Sequence, residues 1–249
     1  VYSPGTKYLT KNFIVNILAL ETTDSVGTVA AMTDGKLLLE LGLNPRQRTA
    51  QSLPPGMANL LERVGWKPAD VHLVALTIGP GSFTGLRIGV TMAKTFAYSV
   101  GAEVLGINTL ATIAEAAPAN VHAVTAVVDA QRGDVVVRSF SRGPEGWLLP
   151  AGDQQLVSID RWLQELPAGM AVTGPMLDKL APRLPAHVTM LDQQYWTPRA
   201  AMVARLAHRQ YAAGRRDDLW TLVPQYSRQS AADEKWQTKV QGLRGKGEG

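Results

Sequence analysis

Gly79-Pro80-Gly81-Ser82-Phe83-Thr84-Gly85-Leu86-Arg87-Ile88-Gly89 is the stretch on which the reading of this chain turns. Its glycines permit positive φ and let another chain segment or a ligand approach the backbone closely. Ser82 or Thr84 is placed to cap the helix that follows, leaving first-turn amides pointing outward. Those amides and the positive end of the helix dipole make an anion site, and Arg87, one turn in, would support a phosphate or an acidic partner. The spacing is neither a Gly-Lys-Ser/Thr phosphate loop nor a dinucleotide fingerprint. On the residues alone, the reading that demands least is a tight strand-to-helix junction with close packing through Gly85 and Gly89.

The flanks agree with a junction. Residues 71–78 read as a parallel strand before it, and a helix follows from about 86 to 100, stopped by Gly101. A short strand over 104–107 leads to Asn108-Thr109, which caps a helix through Ala116. Upstream, the apolar run 15–21 ends in Glu21-Thr22-Thr23-Asp24-Ser25, residues 26–32 resume a β-branched pattern, and Asp34-Gly35 is a hairpin turn before 36–41. After an irregular polar stretch over 44–52, Pro54-Pro55 opens a helix with Met57, Leu60, Leu61 and Val64 on its apolar face, ended by Gly65. Three strands, then helix, strand, helix, strand, helix is the order of an actin-like (ribonuclease H-like) α/β lobe. Beyond Pro118-Ala119-Asn120, the strand 121–129, turn Gln131-Arg132-Gly133-Asp134 and strand 135–140 hint at an internal repeat. A helix over 159–166, a short strand 171–174 ending in Gly174-Pro175, an alanine-rich helix over 198–213 and an extended segment over 219–226 follow. The expectation is two lobes, each with a mixed sheet flanked by helices: 14–117, and a smaller or degenerate 118–236. Residues 1–13 read as a leader or a disordered segment, and 237–249 as a disordered tail.

Composition bounds the function. The chain has 249 residues, 45% hydrophobic and 18% charged, enough for a sizeable core and too apolar for a disordered class. The net charge of +4 permits RNA or an acidic protein as partner but demands neither. Without cysteine there is no disulfide framework or thiolate metal site. The histidines, His72, His122, His187 and His208, have no metal-pair spacing, so no metal is expected. No apolar run reaches the ~18 residues of a membrane span, and the expected location is cytoplasmic.

Two further segments could carry chemistry. Thr22 and Thr23, in the turn after Glu21, would meet a nucleotide phosphate with hydroxyls and amides, and Asp129 would face them across a cleft between the lobes. The plainer reading is an ordinary Asx or Ser/Thr turn, with Asp129 capping its own turn and pairing with Arg132. A Ser-His-Asp hydrolase fits poorly, since no Gly-x-Ser-x-Gly elbow is present, and no catalytic residue is assigned.

Ile17-Leu-Ala-Leu-Glu-Thr-Thr23, the stretch 79–89, Gly106-Ile-Asn-Thr-Leu110, Asp129-Ala-Gln-Arg132 and Pro224-Gln-Tyr-Ser-Arg228 with Ala232-Asp-Glu-Lys235 together resemble the TsaB (YeaZ-like) family, non-peptidase homologues of the glycoprotease family. The resemblance runs from about residue 16 to 236. It implies a two-lobed actin-like fold and a non-catalytic part in threonylcarbamoylation of the tRNA adenosine next to the anticodon. It implies a TsaD-like catalytic subunit and a TsaE-like ATPase as partners, homodimer formation as an alternative pairing, and tRNA reached indirectly through the complex. Where the catalytic sister places metal histidines, residues 47–55 contain none. Thr49 stands where many members keep a His, Glu21 where Asp is usual and Gln131 where Arg is usual. The helices over 54–64 and 86–100 resemble the surface such proteins use to bind a partner, making Met57, Leu60, Leu61, Leu86, Val90 and Thr91 the candidate patch; packing within their own lobe is the alternative. No resident cofactor is expected, with ATP or ADP at a partner interface as the variant reading. The competing function is an enzyme with residual ATPase or peptidase activity.

Overall fold

The computed structural model describes residues 14–228. The expected leader, the motif at 232–235 and the expected tail lie outside the described residues. Strands β1 (Asn16–Glu21), β2 (Thr28–Thr33) and β3 (Lys36–Gly42) form the expected antiparallel meander. Helix α1 (Thr49–Arg63), strand β4 (Leu73–Gly79), helix α2 (Phe83–Val100) and strand β5 (Glu103–Asn108) follow. β4 runs parallel to β1 and β5 parallel to β4, giving a mixed sheet in the order β3-β2-β1-β4-β5. β1 and β4 are buried on both faces, as their near-continuous apolar sequence requires.

Helix α3 (Thr109–Glu115), capped by Asn108 as expected, passes to the second sheet. That sheet contains β6 (Ala123–Asp129), β7 (Asp134–Arg142), β8 (Leu148–Pro150) and β9 (Gln155–Ser158). Helix α4 (Ile159–Glu165), β10 (Ala171–Thr173), the short helix α5 (Leu177–Leu180) and β11 (Thr189–Met190) complete it. Its order is β11-β10-β6-β7-β8, with β9 also on β7. Three antiparallel strands followed by two parallel ones on the other side of the first is the order of sheet one again. The internal repeat is therefore real at the level of topology, and the whole is the two-lobed actin-like arrangement, the second lobe built from shorter elements.

Several elements differ from expectation. Pro54 and Pro55 do not open α1; they lie inside it, a turn after its start at Thr49. Both are exposed, so the carbonyls of Ala50 and Gln51 that lose amide partners face solvent, while buried Ser52 and Leu53 anchor the first turn. Of the expected extended segment over 219–226, residues 219–221 instead form a turn closed by Leu222 N on the Asp218 carbonyl. Helix α6 (Ala200–Ala212) forms where expected, but it packs on the first sheet. Its Ala200, Val203, Ala204, Leu206 and Ala207 share one core cluster with Ile17, Ala19, Ala30, Met32, Leu73 and Leu105. Small alanine faces let the helix lie close on the sheet, and Arg199 and Ala201 N bind Glu40 of β3. A division at residue 118 thus follows the chain order, whereas the packing gives α6 to the first lobe.

The candidate partner patch is also altered by packing. Met57, Leu60, Leu61, Leu86 and Val90 are buried against the first sheet, all at 6% exposure or less. Only Thr91 of the six is exposed. The apolar stripe of an amphipathic helix goes to its own core first.

Candidate functional site: a cleft between the lobes

The two halves of the repeat face each other across a cleft of about 900 Å³. One wall comes from the turn after β1, the β4–α2 loop and the start of α3; the other from the β6–β7 turn and residues 175–179. Residues 226–228 lie along its mouth.

The first wall is a stack of close backbone approaches. Thr22 is 1% exposed, and its hydroxyl donates to the Gly85 carbonyl at 2.9 Å. A Cβ on Gly85 would stand 1.9 Å from the Thr22 carbonyl oxygen, and one on Gly89 2.4 Å from the Thr22 hydroxyl. Thr22 is therefore the wedge under α2, which its part in the junction explains. Gly81, at φ 154°, lies so near Thr23 that a Cβ would come within 2.6 Å of the threonine Cβ. Ser82, not Thr84, caps α2, accepting from Gly85 N at 3.2 Å. Gly79 has φ 129°, and its missing side chain leaves room for Gln225. The stretch 79–89 is thus a tight junction, and Thr23, Gly81, Ser82 and Thr84 reach the cleft from it.

Arg87 does not point to an anion at the helix start. Its Nε donates to the Tyr226 hydroxyl at 3.0 Å, and its guanidinium lies 4.0 Å from the Phe83 ring centre. Phe83 and Tyr226 stack with centroids 4.6 Å apart.

Across the cleft, Asp129 accepts from Lys179 Nζ at 2.8 Å and from Gln131 N at 2.7 Å. Partial burial pulls its pKa up, but the Lys179 hydrogen bond, the Gln131 amide and the Lys179 charge outweigh it and hold the carboxyl below its ordinary range. Asp129 lines the same cleft as Thr23, and its charge partner is Lys179 of α5, fifty residues on. Gln131 and Arg132 both have positive φ, 64° and 57°, ahead of Gly133 at 82°. Two consecutive non-glycine residues in that region cost about 1–2 kcal/mol each. Gly174 serves this wall as Gly85 serves the other: a Cβ there would lie 2.0 Å from the Val127 carbonyl oxygen.

Glu21 does not reach the cleft. It is fully buried, its Oε1 accepts from Thr23 N at 2.6 Å and from the Thr23 hydroxyl at 2.5 Å, and burial raises its pKa to about 7. Thr109, at the cleft edge, is 1% exposed with a hydroxyl lacking a hydrogen-bond partner. Among the described residues no group of three or more His, Asp or Glu side chains is arranged to hold a metal ion. Lys179, Tyr226, Ser227 and Arg228 are the cleft residues that sequence reasoning missed as contributors. Only the motif at 224–228 marked any of them, and it carried no hint of where they dock.

The chain matches, over residues 42–190, the family model described as TsaD, tRNA N6-adenosine threonylcarbamoyltransferase. It is 27% identical over 233 residues to the tRNA threonylcarbamoyladenosine biosynthesis protein TsaB of Bacillus subtilis, covering 89% of this chain and 98% of that one. To the protein of the same name from Escherichia coli it is 34% identical over 134 residues, 53% of this chain and 58% of that one. The solved structure of YeaZ from Pseudomonas aeruginosa superposes with a TM-score of 0.76 at 26% identity, over 85% of this chain and 99% of that one. Among the described residues no helix is long and apolar enough to cross a membrane. The two-lobed repeat, the glycine junction and these matches lead to one assignment: the chain belongs to the threonylcarbamoyltransferase-related family, as one of its TsaB (YeaZ-like) members.

Proposed function

We propose that this chain is a non-catalytic subunit that binds and supports a TsaD-type transferase during N6-threonylcarbamoylation of the tRNA adenosine next to the anticodon. The observation that carries the reading is the near-full-length match to proteins named for threonylcarbamoyladenosine biosynthesis, over 98% of one of them. The cleft chemistry supports it. Asp129 is already neutralised by Lys179, and Glu21 is turned inward onto Thr23. Neither carboxylate is free to organise a magnesium-bound water. The partners are a TsaD-like subunit and a TsaE-like ATPase, with tRNA met through the assembly. The test is co-purification with the TsaD-type protein of the same organism, and mass spectrometry of tRNA nucleosides from reactions with and without this chain. Stable co-purification and a loss of modified nucleoside on omission are expected; full modification without the chain would end the proposal.

One observation favours a second reading, nucleotide binding: Thr23 and Asp129 both line a cleft of about 900 Å³, large enough for a ligand. Titration calorimetry with ATP or ADP and magnesium, alone and in the presence of the TsaD-type subunit, separates the two. Heat from the isolated chain would favour a resident nucleotide; heat only from the pair would place it at the partner interface.

A further inference from the structure

Residues 217–228 form a strap whose two ends are held very differently. At the root, Asp217 bridges to Val104 of β5 and accepts from Gly106 N at 2.7 Å and from Arg215. Asp218 accepts from Trp220 N and Thr221 N at 2.9 and 2.8 Å. Lys94 of α2 donates to the Trp220 and Leu222 carbonyls at 3.0 and 3.2 Å. Leu222 is buried in the first core, and Gln225 N donates to Ile78 O at 2.6 Å.

At the tip, Tyr226 lies on Phe83, and Arg228 then crosses the mouth of the cleft to an ion pair with Asp134 of β7. Among the described residues Ser227 Oγ and Arg228 Nε find no hydrogen-bond partner, although both atoms are buried. Such a group costs about 1–3 kcal/mol. The ion pair is itself mostly buried, its side chains 24% and 29% exposed, so desolvation offsets much of its attraction. A well-satisfied root therefore carries an under-satisfied tip.

We propose that the tip is a releasable latch. The Arg228–Asp134 pair holds residues 226–228 across the cleft mouth, so that the chain's own atoms cover it. Release lifts the tip, frees the face of Phe83 on which Tyr226 stacks and widens the cleft, while the root stays on the first sheet. The two arrangements differ by one ion pair, one aromatic stack and the Arg87–Tyr226 hydrogen bond, with two unpartnered polar groups returned to water.

Hydrogen exchange on the full chain, read by mass spectrometry, tests this on the wild type, on Asp134→Asn, and on the swapped pair Asp134→Arg with Arg228→Asp. Asp134→Asn is expected to speed exchange by about tenfold or more in peptides covering the tip, residues 226–228. Peptides covering 104–106 and 217–222 are expected to keep their wild-type rates, and the swapped pair to restore slow exchange at the tip. Unchanged rates at the tip, an equal rise through both sheets, or no recovery in the swapped pair would each overturn the latch. So would failure of Asp134→Asn to fold, since a contact that opens in the native state cannot be required to reach it.

Discussion

Glu21 ends β1 with its carboxyl folded back on Thr23, Oε1 bonded to the threonine amide and hydroxyl and Oε2 without a hydrogen-bond partner. Burial is the main cause that lifts its pKa from 4.5 to about 7, only partly countered by those hydrogen bonds. In the unfolded chain the group ionises at the ordinary value, so between the two pKa values the folded state holds the proton more tightly. Its contribution to stability is therefore full below the unfolded pKa and is lost as pH rises through about 7. At 1.36 kcal/mol per pKa unit the loss is about 3 kcal/mol. Glu21→Gln keeps an acceptor for Thr23 and removes the titration. Urea melts across pH 4–8 are expected to show the wild type weakening with rising pH and the variant flat by comparison, with the variant the more stable at pH 8. Parallel profiles would show that the carboxyl is solvated or otherwise compensated.

At the scale of elements, the β1–α2 contact depends on atoms that are absent. Gly85→Ala drives a Cβ into the Thr22 carbonyl, backbone against backbone, and neither partner can move without shifting a strand or a helix. The expected loss is about 3 kcal/mol or more, at the upper end for overpacking. Gly101→Ala is the contrast. It meets nothing within 4 Å and suffers only from its φ of 73°, so about 1 kcal/mol is expected. Chemical denaturation of the two variants gives the difference directly. The same distinction explains what the sequence made legible. The meander over β1–β3, the Asn108 cap, the Gly101 stop and the junction at 79–89 are local and depend on residues within a turn or two. Lys179 meeting Asp129, Arg228 reaching Asp134 and α6 returning to sheet one join residues 50, 94 and up to 172 positions apart, and no local pattern encodes them. The start of α1 is not legible in the sequence, because two prolines normally mark a helix entrance. Here the first turn is held by buried Ser52 and Leu53 instead. Burial of Met57, Leu60, Leu61, Leu86 and Val90 is the alternative that the sequence leaves open, because an apolar stripe reads alike whether it faces a partner or its own sheet.

At the scale of the molecule, the lobes are fastened away from the cleft as well as across it. Arg142 donates to the carbonyls of Val121, Gly146, Ala117 and Pro118, fixing the connection that follows α3. Trp147, from the β7–β8 hairpin, packs against the first-lobe core with Arg205 and Arg209 of α6 at 4.7 and 4.8 Å from its ring. Beneath it, Glu115 accepts from Leu148 N and pairs with Arg205. Trp147→Ala is expected to cost about 2 kcal/mol, less than a full core tryptophan because the ring is only partly buried. It is also expected to broaden or split the calorimetric unfolding peak as the lobes lose their mutual support. A sharp, unshifted peak would mean that the ring adds nothing to cohesion. The late arrival of α6 has a consequence for how the protein is made. The strands bearing Ile17, Ala19, Ala30 and Met32 are all translated by the end of β3, yet the helix that covers that part of the sheet face follows some 160 residues later. At ~5–20 residues per second, a nascent chain carries that bare apolar face for about ten to thirty seconds. During that interval it is a natural client for a chaperone at the ribosome exit, and a message truncated before α6 yields a product that never stops being one.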